Sequence, residues 1–124
     1  MNRTGHPHEV APTPIPVTCV AETQSIAGES PIWSTAESCL YCVDHQGRKI
    51  HRYRPTNAPG EIPAGRIETF DLPDVVTAIA PRKNGGLIIA LHQHFAFFDP
   101  DTGKLEKLIN PETELPDNRF NDGK

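Results

Sequence analysis

The chain has 124 residues, a formal net charge of −4 and 36% hydrophobic residues. That length suffices for one domain with its own core. Its 12 Lys and Arg residues form no basic block, which argues against the basic patch of a nucleic-acid-binding protein, and no apolar run approaches the roughly 20 residues of a membrane helix. We therefore expect neither nucleic acid nor a membrane as a partner.

Residues 1–16 are rich in proline and polar side chains, so we predict a disordered leader followed by a folded region at 17–124. Because the leader lacks the apolar stretch of a signal peptide and the chain has an odd number of cysteines, three, we expect a cytoplasmic protein. The folded region opens with Val17–Ala21, a run typical of a β-strand.

A series of short strands follows, which the 13 prolines favour over long helices. The predicted strands are Ser30–Ser34, Cys39–Asp44, Lys49–Arg54, Arg66–Leu72, Val75–Pro81, Gly86–Leu91, Phe95–Asp99 and Lys104–Ile109. No window keeps a helical period over ten or more residues, so we expect almost no helix.

The connections carry their own turn signals. Ser34–Glu37 spells a helix-capping box but precedes an alternating run, so we predict a turn there. Asn84-Gly85 suits a type I′ hairpin turn, and Asp99–Gly103 a type I turn closed by a left-handed glycine. Pro55–Ala64 is predicted to be a longer loop.

Two cysteines in the second predicted strand, Cys39 and Cys42, spell a CxxC pair. Residues three apart in an extended strand point to opposite faces, whereas redox and zinc pairs need a turn or a helix start. We therefore favour a buried strand over a metal or redox site. Likewise, His92 and His94 have a spacing that could bind a metal, but a polar hairpin tip is the favoured interpretation.

The predicted strands form a repeat. Two similar groups of four strands follow each other with a period of about 45 residues, which is typical of four-stranded propeller blades. The run Arg119–Asn121 lies where the first strand of a third group is expected. The fold class is therefore all-β, with about two four-stranded blades and the start of a third, and whole propellers hold roughly four to eight.

Few residues are candidates for chemistry. Glu29 stands at the start of a first strand, where propeller carboxylates can face a central channel and bind a hard cation, although a strand-end glutamate is more often simply solvated. Arg119, Asn121 and Asp122 could face the same channel. Asn-Asp-Gly is also an ordinary turn sequence, so both interpretations stay open.

Five segments together resemble the regucalcin and gluconolactonase family, also called the senescence marker protein family. They are GESPIW at 28–33, YCVDHQGRKIHRY at 41–53, NGGLIIAL at 84–91, FDPDTGKLE at 98–106 and NRFNDGK at 118–124. The resemblance covers residues 17–124 and implies a six-bladed propeller with one divalent metal, Ca²⁺ or Zn²⁺, that hydrolyses sugar lactones. It also implies that Glu29 is a metal ligand and that Arg119 and Asn121 bind the substrate.

The family's other metal ligands, an Asn and an Asp that also acts as the catalytic acid and base, lie in later blades. We therefore expect an incomplete propeller with one metal ligand and no catalytic residue of its own, inactive as a lactone hydrolase. Two alternatives remain open. One is a non-catalytic, regulatory Ca²⁺-binding protein, and the other is a β scaffold that pairs through its bare strand edges with another chain, including its own copies.

Overall fold

The computed structural model describes residues 10–56 and 65–123. Its eight strands are β1 (Gly28–Ser34), β2 (Cys39–Asp44), β3 (Lys49–Pro55), β4 (Gly65–Asp71), β5 (Val76–Pro81), β6 (Leu87–Leu91), β7 (His94–Phe98) and β8 (Leu105–Lys107). Each lies within two residues of a predicted strand, because alternating apolar and polar residues mark a half-buried strand. The described residues contain no α-helix, and hence none that could cross a membrane.

The strands form two antiparallel sheets of four, which confirms the all-β class. Sheet 1 has the order β1-β2-β3-β4, and sheet 2 the order β5-β6-β7-β8. In both sheets each strand pairs with the next one along the chain, so short hairpin connections suffice. The two groups of the predicted repeat are therefore two sheets with the same topology.

The core lies between the two sheets. Sheet 1 contributes Tyr41 and Ile50, and sheet 2 contributes Leu87 and Ile89, all of them almost fully buried. At one side of the core, the ring of Phe70 meets the ring of Phe98 edge to face at 5.8 Å. One face of each sheet is thus covered by the other sheet.

Two predicted strands do not form. Val17–Ala21 takes part in no strand pairing, and Arg119–Asn121, expected to begin a third group, is also outside any strand. A strand needs a ladder of backbone hydrogen bonds to a neighbouring strand, and among the described residues neither segment has such a ladder; Arg119–Asn121 has one backbone bond, from Phe120 to His92. The leader prediction for residues 1–9 and most of the predicted loop at Pro55–Ala64 lie outside the described residues.

The turn predictions have mixed outcomes. Gly103 is left-handed with φ of 74°, as predicted for its turn. The type I′ prediction for Asn84-Gly85 is wrong, because the left-handed residues are Gly85 and Gly86. The amide of Gly85 donates to the carbonyl of Arg82, which makes a turn followed by a left-handed glycine. A second glycine allows the hairpin to move its left-handed positions by one residue.

The CxxC prediction is confirmed as a strand. Cys39 and Cys42 both lie in β2 and both are free thiols, the first fully buried and the second half-buried. Burial raises the pKa of both thiols, and a raised pKa leaves little of the reactive thiolate. This pair is therefore part of the packing of sheet 1.

Candidate functional site

The first strand is interrupted by a bulge directly after Glu29. Glu29 pairs with Val43 and Ile32 pairs with Tyr41, so that two residues of β1 stand opposite one residue of β2. Within the bulge, Ser30 has φ of 49°, a left-handed conformation that side chains other than glycine rarely adopt. Bulges re-aim side chains and occur frequently beside active sites. Here the bulge sets the direction of the residues on both sides of it.

Glu29 itself is exposed at the start of β1. Its carboxylate makes no hydrogen bond or ion pair with any residue in 10–56 or 65–123. A carboxylate without a protein partner is free to bind an external cation or a polar ligand, although most such side chains are only solvated.

The chain just before Glu29 is held by a buried carboxylate, that of Asp44. The amides of Ile26 and Ala27 each donate to it at 3.0 Å, and so does the amide of Gly47. Asp44 is only 2% exposed; burial alone would raise its pKa, but these three hydrogen bonds outweigh burial and lower it. Asp44 therefore fixes the backbone two residues ahead of Glu29.

A buried histidine supports the same segment. His51 lies with its Nε2 3.3 Å from the hydroxyl of Ser25 and its Nδ1 2.9 Å from the hydroxyl of Thr69. Burial lowers the pKa of His51, against the nearby charge of Asp44, which raises it. The imidazole is therefore neutral near pH 7, and it links residue 25 to sheet 1.

The segment that carries Arg119 and Asn121 is anchored on sheet 2. The amide of Phe120 donates to the carbonyl of His92 at 2.9 Å, and its ring packs on Phe95 at a centroid distance of 4.5 Å. Arg119 donates to the carbonyl of Phe120 at 2.9 Å, and the side chain of Asn121 has no partner among the described residues. Both predicted substrate-binding side chains are exposed.

A groove of ≈ 510 Å³ lies between the first strands of the two sheets. Its lining comes from three segments: Ser30, Pro31, Ile32 and Trp33 of β1, Ile79 and Ala80 of β5, and the pair Asp122-Gly123. Two motifs that are far apart in the sequence, GESPIW and NRFNDGK, therefore meet at one groove. Glu29, Arg119 and Asn121 are sequence neighbours of this lining, but within 10–56 and 65–123 no hydrogen bond or ion pair joins Glu29 to the other two.

The side chains around Glu29 do not by themselves form a metal site within residues 10–56 and 65–123. In the part of the chain that the structure describes, no three side chains of His, Cys, Asp or Glu come together as a metal-binding group. A hard cation such as Ca²⁺ takes six to eight oxygen ligands, and Glu29 offers at most two. The described residues alone therefore provide no more than one side of such a site.

The sequence did not single out Arg52, a buried arginine whose guanidinium makes several side-chain hydrogen bonds. It is 4% exposed, donates to both carboxylate oxygens of Glu68 at 2.8 and 3.1 Å, and donates to Asp101 at 2.9 Å. Its guanidinium also lies 5.3 Å from the ring centroid of Phe70. The available signal was its position: Arg52 alternates with Ile50, on the inward face of β3.

Two consecutive four-stranded sheets with the same strand order, stacked with their first strands along one groove, define an all-β protein built from repeated sheets. Residues 27–124 match the model of the SMP-30/Gluconolactonase/LRE-like region, and the chain belongs to this family. This match confirms the resemblance of the five segments to the regucalcin and gluconolactonase family.

Individual relatives agree with this assignment. The chain is 32% identical over 106 residues to 6-deoxy-6-sulfogluconolactonase of Pseudomonas putida, covering 86% of this chain and 34% of that protein. It is 34% identical over 110 residues to regucalcin of Danio rerio, covering 89% of this chain and 35% of that protein. Among solved structures, a calcium-binding regucalcin of Agrobacterium tumefaciens superimposes with a TM-score of 0.67 at 27% identity. The superposition covers 83% of this chain and 32% of that one. The chain thus spans about a third of the length of these relatives.

Proposed function

We propose that this chain contributes two sheets and part of the substrate groove to a six-bladed, propeller-type sugar-lactone hydrolase. The observation that carries the proposal is the meeting of GESPIW and NRFNDGK at one groove. At ≈ 510 Å³ the groove is within the size range of small-molecule sites, and its mixture of apolar walls and a carboxylate suits a sugar ring. A relative named for a sulfogluconolactonase activity supports this substrate class.

In this proposal Arg119 and Asn121 bind the lactone. A guanidinium only donates hydrogen bonds and suits carbonyl and hydroxyl oxygens, whereas an amide both donates and accepts and suits hydroxyl groups. Arg119 donates one hydrogen bond to the carbonyl of Phe120, and its guanidinium has further N–H groups that can donate to a ligand. Both side chains are exposed, so binding needs no rearrangement of the core.

Glu29 is proposed as one carboxylate ligand of a divalent cation, Ca²⁺ or Zn²⁺. The remaining ligands and the catalytic acid and base are proposed to lie outside the described residues, because no second carboxylate accompanies Glu29. From this follows a prediction for the 124-residue chain. It should bind Ca²⁺ and Zn²⁺ weakly or not at all in calorimetry and should not hydrolyse gluconolactone. Tight binding together with turnover would contradict this.

Substrate binding can be tested separately from turnover. A titration with gluconolactone, followed by amide chemical shifts, should move the signals of Ser30, Arg119 and Asn121. The double change Arg119→Ala and Asn121→Ala should abolish these shifts, whereas Lys107→Ala, at the exposed end of β8, should leave them unchanged. Shifts that persist in the double variant would rule out the proposed roles of Arg119 and Asn121.

A second candidate is a regulatory Ca²⁺-binding protein. It is favoured by the regucalcin relatives, one of which is described as a calcium-binding protein. Ca²⁺ affinity without any response to gluconolactone would support it over the hydrolase.

A further inference from the structure

The tip of the β6–β7 hairpin consists of two residues, His92 and Gln93, because Leu91 pairs directly with His94. His92 is left-handed with φ of 51°, a conformation that costs energy in a residue with a Cβ. Strained backbone of this kind persists where its surroundings hold it, and it often accompanies a functional site. At this tip the strain occurs together with hydrogen bonds to a segment that is distant in the sequence.

Gln93 makes two of these hydrogen bonds with its half-buried side chain. Its Nε2 donates to the carbonyl of Pro116 at 2.5 Å and to the carbonyl of Asn118 at 2.7 Å. The amide group of a glutamine has two hydrogens, so both are used on this one segment. A carboxylate or an apolar side chain could not replace it, because neither has a hydrogen to donate. Gln93 therefore ties the segment that precedes Arg119 to sheet 2.

The tied segment also has internal hydrogen bonds. The side chain of Asn118 donates to that of Glu112 at 3.1 Å. The amide of Leu115 donates to the carbonyl of Glu112, and the amide of Asn118 donates to the carbonyl of Leu115, which makes two successive turns. Because these bonds already brace the segment, the two bonds from Gln93 are enough to fix its position on the hairpin.

Arg119 lies between two points that are both fixed to the hairpin tip. Before it, the carbonyl of Asn118 accepts from Gln93, and after it, the amide of Phe120 donates to the carbonyl of His92 at 2.9 Å. Gln93 and Arg119 also line the same small pocket. The backbone from which the guanidinium of Arg119 extends is therefore held on both sides.

Asn121 depends less on Gln93. It follows Phe120, whose ring packs on Phe95 at a centroid distance of 4.5 Å and whose amide bond to the hairpin does not involve the Gln93 side chain. Loss of that side chain would leave both contacts of Phe120 in place. The two proposed substrate-binding residues should therefore respond differently to a change at position 93.

We propose that Gln93 is a positioning residue for Arg119. The inference rests on the proposed function, in which Arg119 binds the lactone. The two bonds from Gln93 order the backbone ahead of Arg119 before any ligand arrives. A binding residue that is in place only part of the time lowers the apparent affinity by that fraction, so the contribution of Gln93 is measurable as affinity.

The first test measures the order of this segment without any lactone. In Gln93→Met, which has a side chain of similar length without a donor, ¹⁵N relaxation should give lower order parameters for residues 117–119. Gln46→Met is the matched control. Gln46 lies in the corresponding β2–β3 turn, and its side chain makes no hydrogen bond within 10–56 and 65–123, so residues 117–119 should keep their order. Unchanged order parameters in Gln93→Met would overturn the proposal.

The second test is a double-mutant cycle with gluconolactone as the probe. Gln93→Met should raise its dissociation constant about tenfold, since two hydrogen bonds that order the segment are lost. In an Asn121→Ala background the same change should weaken binding by the same factor, whereas in an Arg119→Ala background it should have little effect. Equal effects in the two backgrounds would show a general loss of structure and contradict a role through Arg119.

A rescue variant separates the hydrogen bonds from the shape of the side chain. Gln93→Lys returns N–H donors to this position and should recover both the order of residues 117–119 and the affinity. If it behaves like Gln93→Met, the donor role of Gln93 is wrong. Circular dichroism establishes that each variant is folded, and Gln93→Ala replaces Gln93→Met if the methionine prevents folding.

Failure of this inference is distinct from failure of the proposed function. If the unmodified chain does not respond to gluconolactone, the proposed function fails, and the relaxation data alone decide whether Gln93 fixes the backbone at Arg119. If the unmodified chain binds gluconolactone and Gln93→Met binds it equally well, the proposed function stands and the positioning role is excluded.

Discussion

Asp44 is a buried carboxylate whose hydrogen-bond donors are all backbone amides. An ionised carboxylate only accepts, so it matches the amides of Ile26, Ala27 and Gly47 without conflict. An asparagine would turn its own N–H₂ group toward at least one of these donors. The charge of Asp44, and not just its shape, is therefore part of how the chain ahead of Glu29 is held.

We predict that Asp44→Asn lowers the free energy of unfolding by about 2 kcal/mol, since a buried amide loses its acceptor. Denaturant unfolding measures this loss, and hydrogen exchange should accelerate first at Ile26 and Ala27. Asp71→Asn, whose carboxylate is exposed and pairs with Lys49, should leave the unfolding midpoint unchanged. Equal effects of the two substitutions would contradict the role given to Asp44.

We predict that the free energy of unfolding falls on acidification, because of the buried side chain of His51. Its pKa is lowered in the folded chain by burial, so the unfolded chain binds the proton more readily. This stability is present above about pH 6.5 and is lost as the pH falls through the lower folded pKa. Asp44, whose pKa is also lowered, acts in the same direction at more acidic pH.

Unfolding measured across this pH range tests the assignment. In His51→Gln the decline that begins near pH 6.5 should disappear, while the later decline from carboxylates remains. His94→Gln, at the partly exposed start of β7, is the matched control and should keep both. A decline that is unchanged in His51→Gln would show that another group causes it.

At the scale of the elements, the bulge of β1 is the least regular part of sheet 1. Ser30 is left-handed and stands directly before Pro31, a position where proline further restricts the backbone. A left-handed residue with a Cβ costs roughly 1–2 kcal/mol. Sheet 1 tolerates this strain at the edge of the groove, where strained backbone often accompanies a binding site.

We predict that Ser30→Gly stabilises the chain by about 0.5–1 kcal/mol, because relief of the left-handed strain exceeds the extra entropy of an unfolded glycine. Thr35→Gly, in an exposed turn without a left-handed residue at that position, should instead destabilise by a similar amount. Thermal unfolding of both variants measures the difference. A destabilised Ser30→Gly would mean that the serine side chain itself holds the bulge.

The elements were predictable where a local pattern decides them. The alternation in Cys39–Asp44 and the turn glycine Gly103 each determine their own geometry. Val17–Ala21 has the same β-type composition, yet it forms no strand, because pairing depends on a neighbour that the local sequence does not contain. The same holds for Arg119–Asn121, so the third group of strands remains a prediction.

At the scale of the whole molecule, Arg52 joins the two sheets. It binds Glu68 in its own sheet and Asp101 in the turn between β7 and β8. Burial alone would lower the pKa of Arg52, but these hydrogen bonds, together with the one that Arg52 donates to the hydroxyl of Tyr41, raise it, so the guanidinium stays charged. No periodicity in the sequence reveals this contact, because its partners lie 49 positions apart.

We predict that Arg52→Ala lowers the free energy of unfolding by about 3 kcal/mol, since it breaks a buried ion-pair network. Arg54→Ala removes a half-exposed neighbour with ion-pair distances of 3.7 Å and should cost less than about 1 kcal/mol. Chemical unfolding of the two variants compares them. If both losses are small, the sheets are held by apolar packing alone.

The candidate site was also only partly predictable from the sequence. The motifs around Glu29 and Asn121 indicated a shared channel wall, and their neighbours Ser30 and Asp122 do line one groove. The sequence could not show that Asp44 and His51 hold the approach to Glu29, since these contacts depend on how the sheet brings distant segments together. Roles for Glu29, Arg119 and Asn121 remain proposals.

Gly47 gives the Asp44 contact a practical consequence. A Cβ at this position would overlap the carboxylate of Asp44, so any larger residue at position 47 displaces that carboxylate from the amides it binds. A mutant library restricted to the groove lining would omit this position. Engineering of the groove should include Gly47, because the backbone that carries Glu29 can be redirected from a turn outside the groove lining.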